Sequence, residues 1–119
     1  MKTKPVTIVE TTAFTRRAEK LLSAEEKAAL IDRLAYDPEA GDEIEGTGGA
    51  RKIRFAARGK GKSGGVRAIY YYYTEAMPLF ALFLYGKNEQ ADLSPEQRKL
   101  VVSFVQRMKA AAKQRTRRE

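Results

Sequence analysis

The chain has 119 residues, the length of one domain, and its 43% hydrophobic and 9% aromatic content suffices for a core of its own. Cysteine and histidine are both absent, which excludes disulfides, thiolate nucleophiles and the commonest soft metal sites and leaves Lys, Arg, Tyr, Asp and Glu for any proton chemistry. The net charge of +8 comes from two blocks: residues 48–67 hold seven basic side chains and no acid, and residues 98–119 hold eight against Glu119. Residues 1–47 and 68–97 are each net −3, so two patches of the chain attract polyanions such as nucleic acid.

In chain order, the β-branched run Val6-Thr7-Ile8-Val9 after Pro5 predicts a short first strand. Phe14, Ala18, Leu21 and Leu22 then fall at helical spacing. Ser23 followed by Glu26 is a capping box that opens a second helix with Ala28, Leu30, Ile31 and Leu34 on its apolar face. Asp37-Pro38 stops that helix near Tyr36, because the residue before a proline leaves the helical region. Residues 39–49, rich in glycine and acids, read as a connecting loop. Three strand-like runs follow: Lys52 to Phe55, Val66 to Tyr73, and Leu79 to Tyr85 after Met77-Pro78. The last is apolar on both faces, which predicts a central strand covered on each side. Ser94-Pro95-Glu96-Gln97 supplies an N-cap, a proline at the first helical position and a capping partner for a final helix. Its apolar face is Leu100, Val101, Phe104, Val105 and Met108, and residues 113–119 form a basic tail without an apolar anchor, expected to fray beyond a domain of residues 1–112. The fold class is therefore α+β: a small antiparallel sheet built from a strand, a helix hairpin and a three-stranded meander, closed by a C-terminal helix. No segment approaches the roughly 20 apolar residues of a membrane span, which predicts a soluble cytoplasmic protein with no membrane partner.

Three groups carry the candidate chemistry. Gly59-Lys60-Gly61-Lys62-Ser63-Gly64-Gly65 touches the consensus of a phosphate-binding loop, but Ala56 stands where that motif needs glycine and a strand follows where it needs a helix. The segment is a hairpin tip with two cations, read either as a basic finger on phosphates or as a solvated turn. Lys52 and Arg54 share one face of their strand, opposite Ile53 and Phe55, and antiparallel pairing brings Arg67 beside them. No acidic residue occurs between Glu45 and Glu75, so crowded cations on that face repel one another unless an anion relieves them. The tyrosines Tyr70 to Tyr73 and Tyr85 can stack on bases, or pack against the core with two of the four consecutive ones on either face. Lys87, past the last strand, joins the basic face.

The three segments Gly48-Gly49-Ala50-Arg51-Lys52-Ile53-Arg54-Phe55, Gly59 to Tyr71, and Tyr85-Gly86-Lys87-Asn88-Glu89-Gln90-Ala91-Asp92-Leu93-Ser94, in this order of elements, resemble the RelE/ParE superfamily of bacterial toxins, closest to the RelE-like HigB branch. The resemblance implies a toxin of a type II toxin-antitoxin system: a ribosome-dependent, metal-independent endoribonuclease that cuts messenger RNA in the ribosomal A site without a cofactor. It also implies silencing by a cognate antitoxin, expected to be a helix-turn-helix DNA-binding protein. Carried over position by position, it marks Lys52, Arg54, Lys60, Lys62, Arg67 and Lys87 as catalytic candidates and Arg51 and Arg58 as nucleic-acid-binding ones. The sequence departs from RelE at Asn88 and Ser94, where RelE has an arginine and a tyrosine. Cleavage through the RNA's 2′-hydroxyl needs a base, an acid and charge stabilisation; lysines among arginines can supply the first two, and arginine forks the third. The alternatives are a ParE-like inhibitor of DNA gyrase without catalysis and a non-catalytic RNA- or ribosome-binding module.

Overall fold

The computed structural model describes residues 4–57 and 65–118, with 115–118 described by backbone alone. The elements are β1 (Ile8–Glu10), α1 (Thr12–Leu21), α2 (Ala24–Tyr36), β2 (Asp42–Glu43), β3 (Arg51–Phe55), β4 (Val66–Tyr71), β5 (Leu79–Gly86) and α3 (Pro95–Arg118). They make one sheet in the order β1-β5-β4-β3-β2, with β2 through β5 antiparallel.

Local signals set the helix starts. Ser23 Oγ accepts the Glu26 N–H at 3.1 Å while the Glu26 carboxylate accepts the Ser23 N–H at 3.0 Å, closing the expected capping box. Ser94 and Gln97 repeat the arrangement at the start of α3. Thr11 caps α1 by accepting the Phe14 N–H and also donates its hydroxyl hydrogen to Leu82 O at 2.6 Å, which ties the helix start to β5.

Two details differ from the expected all-antiparallel sheet and plain loop. β1 pairs with β5 in parallel, Ile8 opposite Leu79. The chain returns to this edge only after the helix hairpin and three further strands, and parallel pairing requires such a long crossover. Within residues 39–49, Asp42 and Glu43 add a two-residue edge strand to β3. Helix α3 also continues to Arg118, past Ala112.

The sheet is covered on both faces. The α1–α2 hairpin buries Phe14, Ala18, Leu21, Leu30 and Leu34 against Ile53, Val66, Ala68, Tyr70, Leu79, Ala81 and Leu84. On the other face Val101 and Val105 of α3 meet Ile69, Tyr71, Leu82 and Tyr85. A bulge beside Ile69 and Tyr70 explains how β5 serves both layers: the register jumps from Phe83 to Ala81, so Leu82 and Phe83 both join the α3 layer and the alternation then resumes. As expected from its two-sided apolar pattern, β5 is an interior strand.

Candidate nucleic-acid interface

Period-two alternation separates the cations of β3. Lys52 stands opposite Ile69 and Arg54 opposite Arg67, and Arg67 is in turn opposite Tyr85, so these residues share the α3 face of the sheet. Helix α3 covers this face over Ile69 and Tyr71, while Arg54 is exposed and Arg67 partly so. The Arg67 guanidinium donates to Val66 O at 3.2 Å, and Arg54 has no ion pair among the described residues. Residues directly opposite on an antiparallel pair are neighbours, so two cations share this stretch of the sheet face.

Lys52 is not left to that crowd. Its ammonium lies 3.1 Å from Asp92 in the segment joining β5 to α3, so the acid that the local sequence lacks arrives from far along the chain. The Asp92 side chain is 78% exposed, and exposed pairs of this kind contribute about 0–1 kcal/mol, little enough for a phosphate to replace the carboxylate. Gln90 fixes the segment: its Nε2 donates to Asp92 O at 2.8 Å and to Gln97 Oε1 at 2.9 Å. Lys52, Asp92, Tyr85, Ile69, Leu93 and Arg98 line a cleft of about 450 Å³ where α3 begins. Arg98 is held there by a hydrogen bond to Glu45 O.

Arg51 departs from the expected nucleic-acid group. It points to the α1–α2 face, where its guanidinium donates to Gly41 O at 2.7 Å and to Glu39 O at 3.1 Å, with the carboxylates of Glu43 and Glu39 at 3.6 and 3.9 Å. Its side chain is 18% exposed. It braces the 39–43 segment and does not meet Lys52, Arg54 and Arg67, because neighbouring strand residues face opposite ways.

Lys87 is exposed in the turn after β5, and its N–H donates to Gly65 O at 3.1 Å, which sets it beside the start of β4. Gly65 takes φ +75°, and a Cβ there would lie 2.4 Å from Phe55 O, so the chain enters β4 by a path that requires glycine. Arg58, Lys60 and Lys62 lie outside the described residues.

The tyrosine run mostly packs. Tyr70 is buried under the hairpin and its hydroxyl accepts the Gly41 N–H at 2.8 Å; Tyr72 packs at the edge of the same core. Tyr71 is buried under α3, and Tyr73 stacks on it at 6.2 Å in the open. Burial pushes the phenols of Tyr70, Tyr71 and Tyr85 above their ordinary value. Among the described residues no group of three or more His, Cys, Asp or Glu is placed to hold a metal ion, and no helix is long and apolar enough to cross a membrane.

A family model described as the RelE toxin of the RelE/RelB toxin-antitoxin system matches residues 6–118. The chain belongs to the RelE toxin family. Among solved structures, the E. coli toxin RelE, as a double-arginine mutant in the free state, is similar to it with a TM-score of 0.56 at 19% identity, over 85% of this chain and 98% of that one. At that identity the likeness speaks for the fold, a mixed α+β arrangement of a five-stranded sheet and three helices. In this RelE-family chain sequence reasoning missed Asp92 and Arg98 as neighbours of Lys52, since nothing local joins residues so far apart. The one available signal for Tyr85 was its parity with the basic positions in the antiparallel meander.

Proposed function

We propose that this RelE-family toxin is a ribosome-dependent messenger-RNA endonuclease of the HigB-like kind, which inhibits translation and is restrained by a cognate helix-turn-helix antitoxin. The observation that carries the reading is the placement of Arg54 directly opposite Arg67 on an open sheet face, beside a cleft lined by Lys52. Two guanidinium forks on neighbouring strands suit the non-bridging oxygens of one phosphodiester.

In the proposed reaction the RNA's 2′-oxygen bonds to phosphorus and the bond from phosphorus to the 5′-oxygen breaks, leaving a 2′,3′-cyclic phosphate and a 5′-hydroxyl. A base removes the 2′-hydroxyl proton and an acid protonates the departing 5′-oxygen. Arg54 and Arg67 hold the phosphate and offset the charge that grows on it. Lys52, released from Asp92 by the incoming phosphate, is the proton-transfer candidate within the cleft, with Lys60, Lys62 and Lys87 as the alternatives at the rim. None of these steps uses a metal or a cofactor. The ribosome supplies the substrate strand, and the basic face that holds it is also the surface an acidic antitoxin segment would cover.

Expression with and without the adjacent gene, followed by mapping of transcript 5′ ends, tests the reading: new ends in translated messages, lost on co-expression, are expected. Supercoiling assays with DNA gyrase test the alternative. If the purified protein blocks DNA gyrase and leaves translated transcripts whole, the nuclease reading is wrong and the ParE-like one takes its place. Growth without arrest and without cleavage would leave only a binding module.

A further inference from the structure

Tyr85 stands opposite Arg67 at the cationic end of the sheet and is 3% exposed. Its hydroxyl is buried and has no hydrogen-bond partner among the described residues. A buried hydroxyl left unpaired costs about 1–3 kcal/mol, which natural cores avoid, as Tyr70 does through Gly41 on the other face. Tyr85 also lines the cleft that holds Lys52, Asp92 and Arg98. Burial first, then the nearby Asp92 charge, raise its pKa against the opposing effect of Arg67, so the phenol keeps its proton across the physiological range and can act only as a donor toward an anion.

We propose that Tyr85 is a further catalytic residue: when an RNA phosphate takes the place of Asp92 on Lys52, the Tyr85 hydroxyl donates a hydrogen bond to a non-bridging oxygen of the scissile phosphate. The inference rests on the nuclease reading above. Asp92 and Tyr85 line the same cleft and the Asp92 charge already acts on the phenol, so an anion that takes the carboxylate's place is brought to the tyrosine. The donor then meets the oxygen that gains charge as the 2′-oxygen attacks, beside the Arg67 fork. Tyr85 keeps its proton throughout; the proton movements remain those between the 2′-hydroxyl, the base, the acid and the 5′-oxygen. A preformed donor in a desolvated position suits this task because it needs no rearrangement as charge develops. The unpaired hydroxyl is then a polar group retained for the reaction at the expense of fold stability.

The test is transcript cleavage in a translating extract by wild type, Tyr85→Phe and Tyr71→Phe, with thermal unfolding of each. Tyr71 is the control: it too has a buried, unpartnered hydroxyl under α3, but it lines a different cleft, with Glu39, Gly49 and Lys109. Tyr85→Phe is expected to lower kcat about 100-fold, with KM for programmed ribosomes little changed and a Tm equal to or above that of wild type, while Tyr71→Phe keeps wild-type kcat. Loss of stability together with activity in Tyr85→Phe would mean packing and overturn the proposal. If that variant does not fold, 3-fluorotyrosine placed at Tyr85 keeps the shape and lowers the phenol pKa; the alkaline limb of kcat must then move to lower pH, and an unmoved limb overturns the proposal. An inert wild type overturns the nuclease reading and this inference with it, whereas an active wild type with an equally active Tyr85→Phe overturns this inference alone.

Discussion

The two faces of the sheet solve the same packing problem differently. Under the α1–α2 hairpin, polar groups that reach the core are matched: Tyr70 to Gly41, and Arg51 to two carbonyls and two carboxylates. Under α3, two tyrosine hydroxyls are buried without a partner, two arginines oppose each other across β3 and β4, and a lysine is held by one exposed carboxylate. The matched polar groups lie under the hairpin, while under α3 the Tyr85 hydroxyl is left unpartnered in the same cleft as Lys52. Unpaired buried hydroxyls on one side of a sheet are tolerable when the other side, with no buried unpaired side-chain polar atom among the described residues, contributes to holding the fold.

That contrast can be broken most forcefully at Phe14, which is fully buried on the hairpin face. Phe14→Ala should cost about 3–5 kcal/mol in chemical denaturation, enough to unfold a marginal domain; a loss under 1 kcal/mol would mean that the hairpin face does not carry the fold. Arg67→Ala should reduce cleavage in a translating extract at least about 100-fold while circular dichroism and Tm stay near wild type, since its side chain is only partly buried. Undiminished cleavage by that variant would remove Arg67 from the site. Tyr70→Phe leaves the buried Gly41 N–H unpaired and should destabilise by about 1–3 kcal/mol with kcat per folded molecule unchanged. Set beside Tyr85→Phe, where the order of effects reverses, it gives the sharpest comparison of the two faces. The smallest effect is expected at Asp92→Asn: a stability change within about 1 kcal/mol, but tighter binding of a short single-stranded RNA and a salt dependence steeper by up to about 0.7 in log–log slope, as Lys52 becomes free for one more phosphate. Weaker binding would show that Asp92 positions Lys52 and does not compete for it.

Much of the architecture was already written in local sequence. Ser23 with Glu26, Ser94 with Gln97, and Asp37-Pro38 mark helix ends because caps and proline act within one turn. The parity of Lys52 and Arg54, and their meeting with Arg67, followed from period-two alternation and antiparallel pairing. The same parity places Arg51 on the other face, where the family pattern had grouped it with the nucleic-acid contacts. What the chain decided only on folding involves residues remote in sequence: the parallel seat of β1 on β5, the bulge that puts both Leu82 and Phe83 under α3, and the reach of Asp92 to Lys52. Tyr85 belongs with these. Its sequence context reads as a strand tyrosine, and whether its hydroxyl finds a partner depends on which backbone passes above it. Short-range preferences select helices, turns and strand faces one residue at a time, while pairing, burial and the neutralisation of charge are settled jointly by register and close packing, which no single segment contains.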